Sequence, residues 1–258
     1  MKETKHSFAV CPEILLSGFF INLADSHEKE ESKMSQLVGS EKKGLSTKSV
    51  ATLGMMCAIA FVAKLVSNVF PLVAGFLSFD LKDVIIVITG FIMGPFAALS
   101  VTVVVSLVEM VTISSTGLIG FVMNVIQSTA FACTASAFYL KNRNMKGAVT
   151  GLVAGVLTMT AVMLLWNWLI TPLYMAVPRD VVLKMLIPTF LPFNLIKGGI
   201  NATLAMLLYK PVVTALRRAN LVAPSSSQGG GRKAGVAIAS AVLFVSFVLL
   251  ALVLAKVI

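Results

Sequence analysis

Apolar runs of near-constant length, separated by short polar, basic or glycine-containing breaks, recur along most of the chain. They cover roughly Val50 to Phe70, Phe96 to Ile113, Leu118 to Leu140, Ala148 to Ile170, Ile187 to Tyr209 and Ala234 to Ala255. A bilayer core about 30 Å thick needs about 20 helical residues, so each run predicts a membrane helix. Asp83 to Met93 is too short to span alone, and Asp83 to Ile113 is too long for one helix. Gly94-Pro95 interrupts that stretch where a turn is expected, which gives two short helices joined by the turn. The pattern predicts an all-α integral membrane protein with a six-helix core and a seventh, C-terminal transmembrane helix.

Composition agrees with this class. Hydrophobic residues make up 57% and charged residues 12% of the chain, and the mean hydropathy is +0.93, beyond the range of an ordinary soluble domain. Orientation follows from lysine and arginine, which are enriched in cytoplasmic loops. Lys42, Lys43 and Lys48 precede the first helix, Lys141, Arg143 and Lys146 lie between the fourth and fifth, and Lys210, Arg217, Arg218, Arg232 and Lys233 follow the sixth. Counting the short second helix places all three clusters on one side and predicts a multi-pass cell-membrane protein with a cytoplasmic N-terminus. The net charge of +10 is then explained by topology and anionic headgroups, so nucleic acid is not an expected partner.

The chain divides into four segments. Residues 1–47 read as a cytoplasmic, disordered extension, and either Met1 or Met34 is the true start. Residues 48–218 form the six-helix membrane domain, 219–233 a serine- and glycine-rich linker, and 234–258 the extra helix. That last helix carries no polar residue larger than serine before Lys256, so lipid contact and packing are its expected roles.

Catalytic signatures are missing. Both histidines, His6 and His27, lie in the extension, and Cys11, Cys57 and Cys133 form no CxxC pair. Gly39 to Gly44 has the glycine spacing of a phosphate-binding loop but continues Leu45-Ser46 rather than Lys-Ser/Thr, so ATP hydrolysis by this chain is not expected. No enzyme activity, metal or cofactor is indicated.

Polar residues inside the helices remain. Asn194, Lys197 and Asn201 are spaced i, i+3, i+7 after Pro192 and share one helical face. A lysine at mid-bilayer costs about 2.5 to 3.5 kcal/mol on insertion scales, which leaves two accounts of Lys197: a binding cavity or snorkelling to the nearer interface. Asn167, in Trp166-Asn167-Trp168, offers a donor and an acceptor to one planar edge. Asn124, Gln127 and Ser128 form a further stripe, explained equally by interhelical hydrogen bonds. The turn Ser114-Ser115-Thr116-Gly117 either presents amides to a ligand or caps a helix. Glu109 pairs with a lysine, faces a cavity or stays protonated; Lys64 is a candidate partner, with outward snorkelling the preferred reading, and Asp83 reads as a helix cap. On the first helix Ala51, Gly54 and Ala58 make a small surface suited to close helix approach.

In this order, these segments resemble the substrate-binding S components of energy-coupling factor (ECF) vitamin transporters, most closely the riboflavin-specific branch. The resemblance covers about residues 48–218. It rests on Leu77-Ser78-Phe79-Asp80 through Asp83 to Gly94-Pro95, on Ser115-Thr116-Gly117 with Gly120 and Asn124, on Asn167 with Pro172-Leu173-Tyr174, and on Pro192-Phe193-Asn194-Leu195-Ile196-Lys197-Gly198. It implies six helices around an outward-facing pocket that binds riboflavin as a transported ligand, with no cofactor. Asn167, Asn194 and Lys197 would hydrogen-bond the polar edge of the isoalloxazine ring, and Asn124, Thr116 and Gly117 would contribute to the pocket. The face of Ala51, Gly54 and Ala58 would dock a transmembrane coupling subunit, which engages two ATPases in trans. An S component for another vitamin, or a stand-alone secondary carrier, is the alternative. The N-terminal extension and the seventh helix depart from the family pattern.

Overall fold

The computed structural model describes residues 46–69, 77–114, 116–221 and 233–254. Most of the expected N-terminal extension, Ser115, most of the linker and the last four residues lie outside them. The described helices are α1 (Thr47–Ser67), α2 (Lys82–Met93), α3 (Pro95–Thr112), α4 (Gly117–Lys141), α5 (Met145–Met175), α6 (Arg179–Met185), α7 (Leu191–Arg218) and α8 (Lys233–Leu254), and a π-helical turn, Leu186–Phe190, feeds α7. Among them, five stretches are long and apolar enough to cross a membrane: α1, α3, α4, most of α5, and α6 through α7.

The centre of the bundle is α2. At ~1.5 Å per residue its 12 residues reach only about 18 Å, and every residue from Lys82 to Phe91 is buried. A helix apolar on all sides belongs in the middle of other helices, and α2 lies against α1, α3, α4 and α7. It ends at Gly94, whose φ of +97° favours glycine and whose N–H bonds Gly90 O at 2.8 Å. Pro95 then opens α3 at a position where a missing N–H costs nothing. The expected turn is therefore present.

The surrounding helices each bury one stripe. On α1 it is Thr52, Met56, Ala60 and Lys64, on α3 Ala98, Val101, Val105 and Glu109, and on α4 Asn124, Gln127, Ser128 and Phe131 among others. These are i, i+3/i+4 patterns, and the opposite faces expose valines and leucines that suit lipid. Glycine brings α4 and α5 together: a Cβ on Gly155 would sit 2.7 Å from Phe131 O, and one on Gly151 2.5 Å from Ala135 O.

Two helix ends differ from expectation. α5 runs past Ile170 and Pro172 to Met175, where Ala176 adopts a left-handed C-cap at φ 51°; the left-handed residue, not the proline, stops the helix. α7 likewise continues through Pro211 to Arg218. The added helix α8 lies along α7, with the ring of Phe247 only 2.6 Å from where a Gly199 Cβ would stand. Further along, Ala251 joins Phe79, Phe193, Ile196 and Ile200 in one apolar cluster. Since α8 proceeds toward the residues where α7 begins, the two helices are antiparallel.

Candidate functional site

Polar side chains concentrate at the end of the bundle where α1 stops and α2, α4 and α7 start. Lys197 is 4% exposed. Its Nζ donates to Asp80 Oδ2 at 2.9 Å and to Gln127 Oε1 at 3.2 Å. Asp80 Oδ1 accepts a second ammonium, that of Lys64. Lys64 in turn meets Glu109 Oε1 at 3.1 Å, and the other oxygen of Glu109 takes Lys82. On the far side of Lys197, Gln127 Nε2 donates to Asp83 Oδ2 at 3.2 Å, and Ser128 Oγ donates to Asp83 Oδ1.

The result is one continuous buried ladder, Lys82–Glu109–Lys64–Asp80–Lys197–Gln127–Asp83–Ser128. It ties α1, α3, α4 and α7 to the first turn of α2 and the residues just before it. Three lysines face three carboxylates, so the formal charges cancel. Cancellation is what makes the cluster tolerable, because an unpaired charge at this depth is far more costly than a hydrogen-bonded pair. Burial by itself raises the Asp80 pKa, but the ammonium groups of Lys197, Lys82 and Lys64 outweigh it and hold the carboxyl well below the usual carboxylate range.

This arrangement decides several open readings. Lys197 does not snorkel; it points into the bundle. Lys64, for which outward snorkelling was the preferred reading, is 6% exposed and bound to Asp80 and Glu109. Asp83 does not cap α2, since its carboxylate reaches across to α4. Lys82, at the first position of α2, is fully buried. The acids gain more by pairing with buried ammonium and amide groups than by capping a helix end that a membrane would leave dry.

Asn194, Lys197 and Asn201 share the buried face their spacing implies. Asn194 Nδ2 donates to Phe190 O at 2.8 Å, in the π turn that opens the helix, and Asn201 Nδ2 has no hydrogen-bond partner among the described residues. Asn167 is buried on α5; its Nδ2 donates to Met163 O at 2.7 Å and its Oδ1 accepts from Thr171 Oγ1 at 2.8 Å. Asn124 lines the buried stripe of α4. At the start of that helix Thr116 is half-buried and Gly117 exposed at φ +55°. The Thr116 N–H donates to Ser114 Oγ at 3.2 Å, and a Cβ on Gly120 would fall 1.8 Å from Thr116 Oγ1, so the turn folds tightly onto its helix.

The aromatic pair Phe79 and Phe193, with ring centroids 5.3 Å apart, closes the same end. The Lys197 Nζ lies 5.9 Å from the Phe193 centroid. Ala51, Gly54 and Ala58 lie elsewhere, on the exposed side of α1, and a Cβ added at Gly54 would meet nothing within 4 Å. Sequence reasoning singled out Lys197 and Asn194 but left Asp80, Gln127 and Lys82 outside the candidate site. The available signal was the coincidence of three lysines and three acids near the same helix ends.

Comparison with known proteins gives the family. The family described as "ECF transporter, substrate-specific component" matches residues 48–209. A protein named riboflavin transporter RibU from Staphylococcus aureus is 31% identical over 177 residues, spanning 66% of this chain and 93% of that protein. Riboflavin transporter FmnP from Bacillus subtilis is 28% identical over 189 residues, 69% of this chain and all of that protein. A solved structure described as the S component of a bacterial ECF transporter superposes with a TM-score of 0.56 at 29% identity, covering 66% of this chain and 97% of that one. These relatives are transporters rather than enzymes, and the aligned share leaves room outside it for α8. With most of its helices of spanning length, the chain is a multi-pass membrane protein and belongs to the substrate-specific (S) components of ECF transporters.

Proposed function

We propose that this S component binds riboflavin for uptake. The observation that carries the reading is Lys197: a buried ammonium beside Asn194 on the polar face of α7, in a chain whose relatives are named riboflavin transporters. An isoalloxazine ring presents carbonyl and ring-nitrogen acceptors beside one imide N–H. Lys197 donates to a carbonyl, and the carboxamides of Asn167 and Asn194 supply both donors and acceptors. Each carboxamide then exchanges its contact with its own helix for one to the ligand. Asn124 and the Thr116-Gly117 turn complete the pocket wall.

Transport energy comes from partners. The exposed small face of Ala51, Gly54 and Ala58 is suited to close packing by a transmembrane coupling subunit, which links the S component to two ATPase subunits. The N-terminus is cytoplasmic, because Lys48, Lys141, Arg143, Lys146, Arg217 and Arg218 all fall at the ends of α1, α4, α5 and α7 remote from Lys197. The site then opens outward, and α8, antiparallel to α7, brings the chain's end to the outer side.

Purified protein tests the proposal. A yellow sample whose flavin is lost in Lys197→Ala and Asn194→Ala supports it. A colourless sample that takes up no added flavin, or one whose mass spectrum contains a different vitamin, refutes it.

A further inference from the structure

The ladder converges on Lys197 from both sides. An ammonium has three N–H donors; here one goes to Asp80 Oδ2 at 2.9 Å and one to Gln127 Oε1 at 3.2 Å, leaving a third. Each acceptor is itself held. Gln127 is oriented because its Nε2 is fixed by Asp83 at 3.2 Å, which turns its carbonyl toward Lys197. Asp80 is anchored through Oδ1 by Lys64, which Glu109 holds at 3.1 Å. Phe79 and Phe193, next to Asp80 and one turn before Lys197, meet as a tilted pair with ring centroids 5.3 Å apart.

We propose that Asp80 is a positioning residue for substrate recognition: it aims the Lys197 ammonium, so that the free N–H meets an acceptor on the ligand. This rests on the reading of Lys197 as a flavin contact. Asp80 itself needs no contact with the ligand. Neutralising it to asparagine leaves an excess positive charge in the ladder and one acceptor oxygen, in place of two, for the ammoniums of Lys64 and Lys197, so the hold on Lys197 weakens. A group acting through a neighbour gives strongly non-additive effects with that neighbour, whereas independent sites add.

Riboflavin dissociation constants are measured by fluorescence quenching for the full-length wild type, Asp80→Asn, Lys197→Met and the double variant. Each single change is expected to weaken binding on the order of tenfold or more, the scale of a charge-assisted hydrogen bond. The double variant is expected to bind within about threefold of Lys197→Met. The visible absorption band of the bound flavin is expected to shift alike in both single variants. Asp80→Asn with Lys64→Met restores charge balance and guards against simple misfolding; it is expected to remain weakened.

Losses that multiply in the double variant overturn the proposal, and so does wild-type affinity in Asp80→Asn or in the charge-balanced pair. If the wild type binds no flavin, the functional reading has failed instead. If it binds and the losses multiply, only the role of Asp80 is refuted.

Discussion

Replacing Glu109 by glutamine keeps the shape of the side chain and removes one negative charge from the buried ladder. Lys82 then loses its carboxylate and Lys64 keeps only Asp80. Lys82 is fully buried and Glu109 is 4% exposed, so water cannot replace the lost partner without opening the bundle. Removing one member of a buried pair costs about 3 to 5 kcal/mol. At about 2 to 4 °C per kcal/mol for a domain of this size, the melting temperature falls by roughly 6 to 20 °C. The companion variant Lys82→Met combined with Glu109→Gln removes the unpaired ammonium and leaves Lys64 on Asp80. It is expected to regain most of the loss, because a buried ion pair replaced by apolar groups of similar volume is often neutral. Thermal unfolding in detergent or nanodiscs, followed by tryptophan fluorescence, measures both. A melting point unchanged by Glu109→Gln, or a double variant less stable than the sum of its single changes, refutes the charge-balance argument.

Other consequences are local. At Gly199 a valine collides with the Phe247 ring, 2.6 Å from its Cβ, so Gly199→Val is expected to cost about 1 to 3 kcal/mol and to loosen α8, seen as faster hydrogen exchange there than in α7. At Gly54 the space is open; Gly54→Trp is expected to leave folding and flavin affinity unchanged while abolishing co-purification with the coupling subunit. The antiparallel course of α8 predicts that a protease added outside right-side-out cells or vesicles removes a C-terminal tag, and that deletion of residues 222–258 with re-tagging protects it.

What could be read from the sequence was whatever lies within one helix. The shared face of Asn194, Lys197 and Asn201 follows from spacing alone, and Gly94-Pro95 marks the turn between α2 and α3. The ladder was not legible in this way, because its contacts join residues far apart in the chain: Lys64 to Asp80 over 16 positions, Lys82 to Glu109 over 27, and Lys197 to Asp80 over 117. Read singly, a lysine near a helix end is best explained by snorkelling, and an aspartate near a helix start by capping. Only the fold brings three such lysines and three such acids together. Pro172 and Pro211 both sit inside helices that continue past the ends of their apolar runs, as membrane helices allow when neighbours satisfy the freed backbone groups. The family resemblance reached the right architecture because it rests on ordered motifs rather than on the polar contacts.

In the proposed function this chain alone, without its ATPase partners, is a riboflavin receptor whose grip depends on Lys197. A direct test is titration of the purified full-length protein, stripped of bound ligand, with riboflavin while flavin fluorescence is followed. Saturable quenching at one flavin per chain is expected, weakened by Lys197→Met and unchanged by unrelated vitamins added as competitors. Unquenched fluorescence throughout, or quenching indifferent to Lys197→Met, contradicts it.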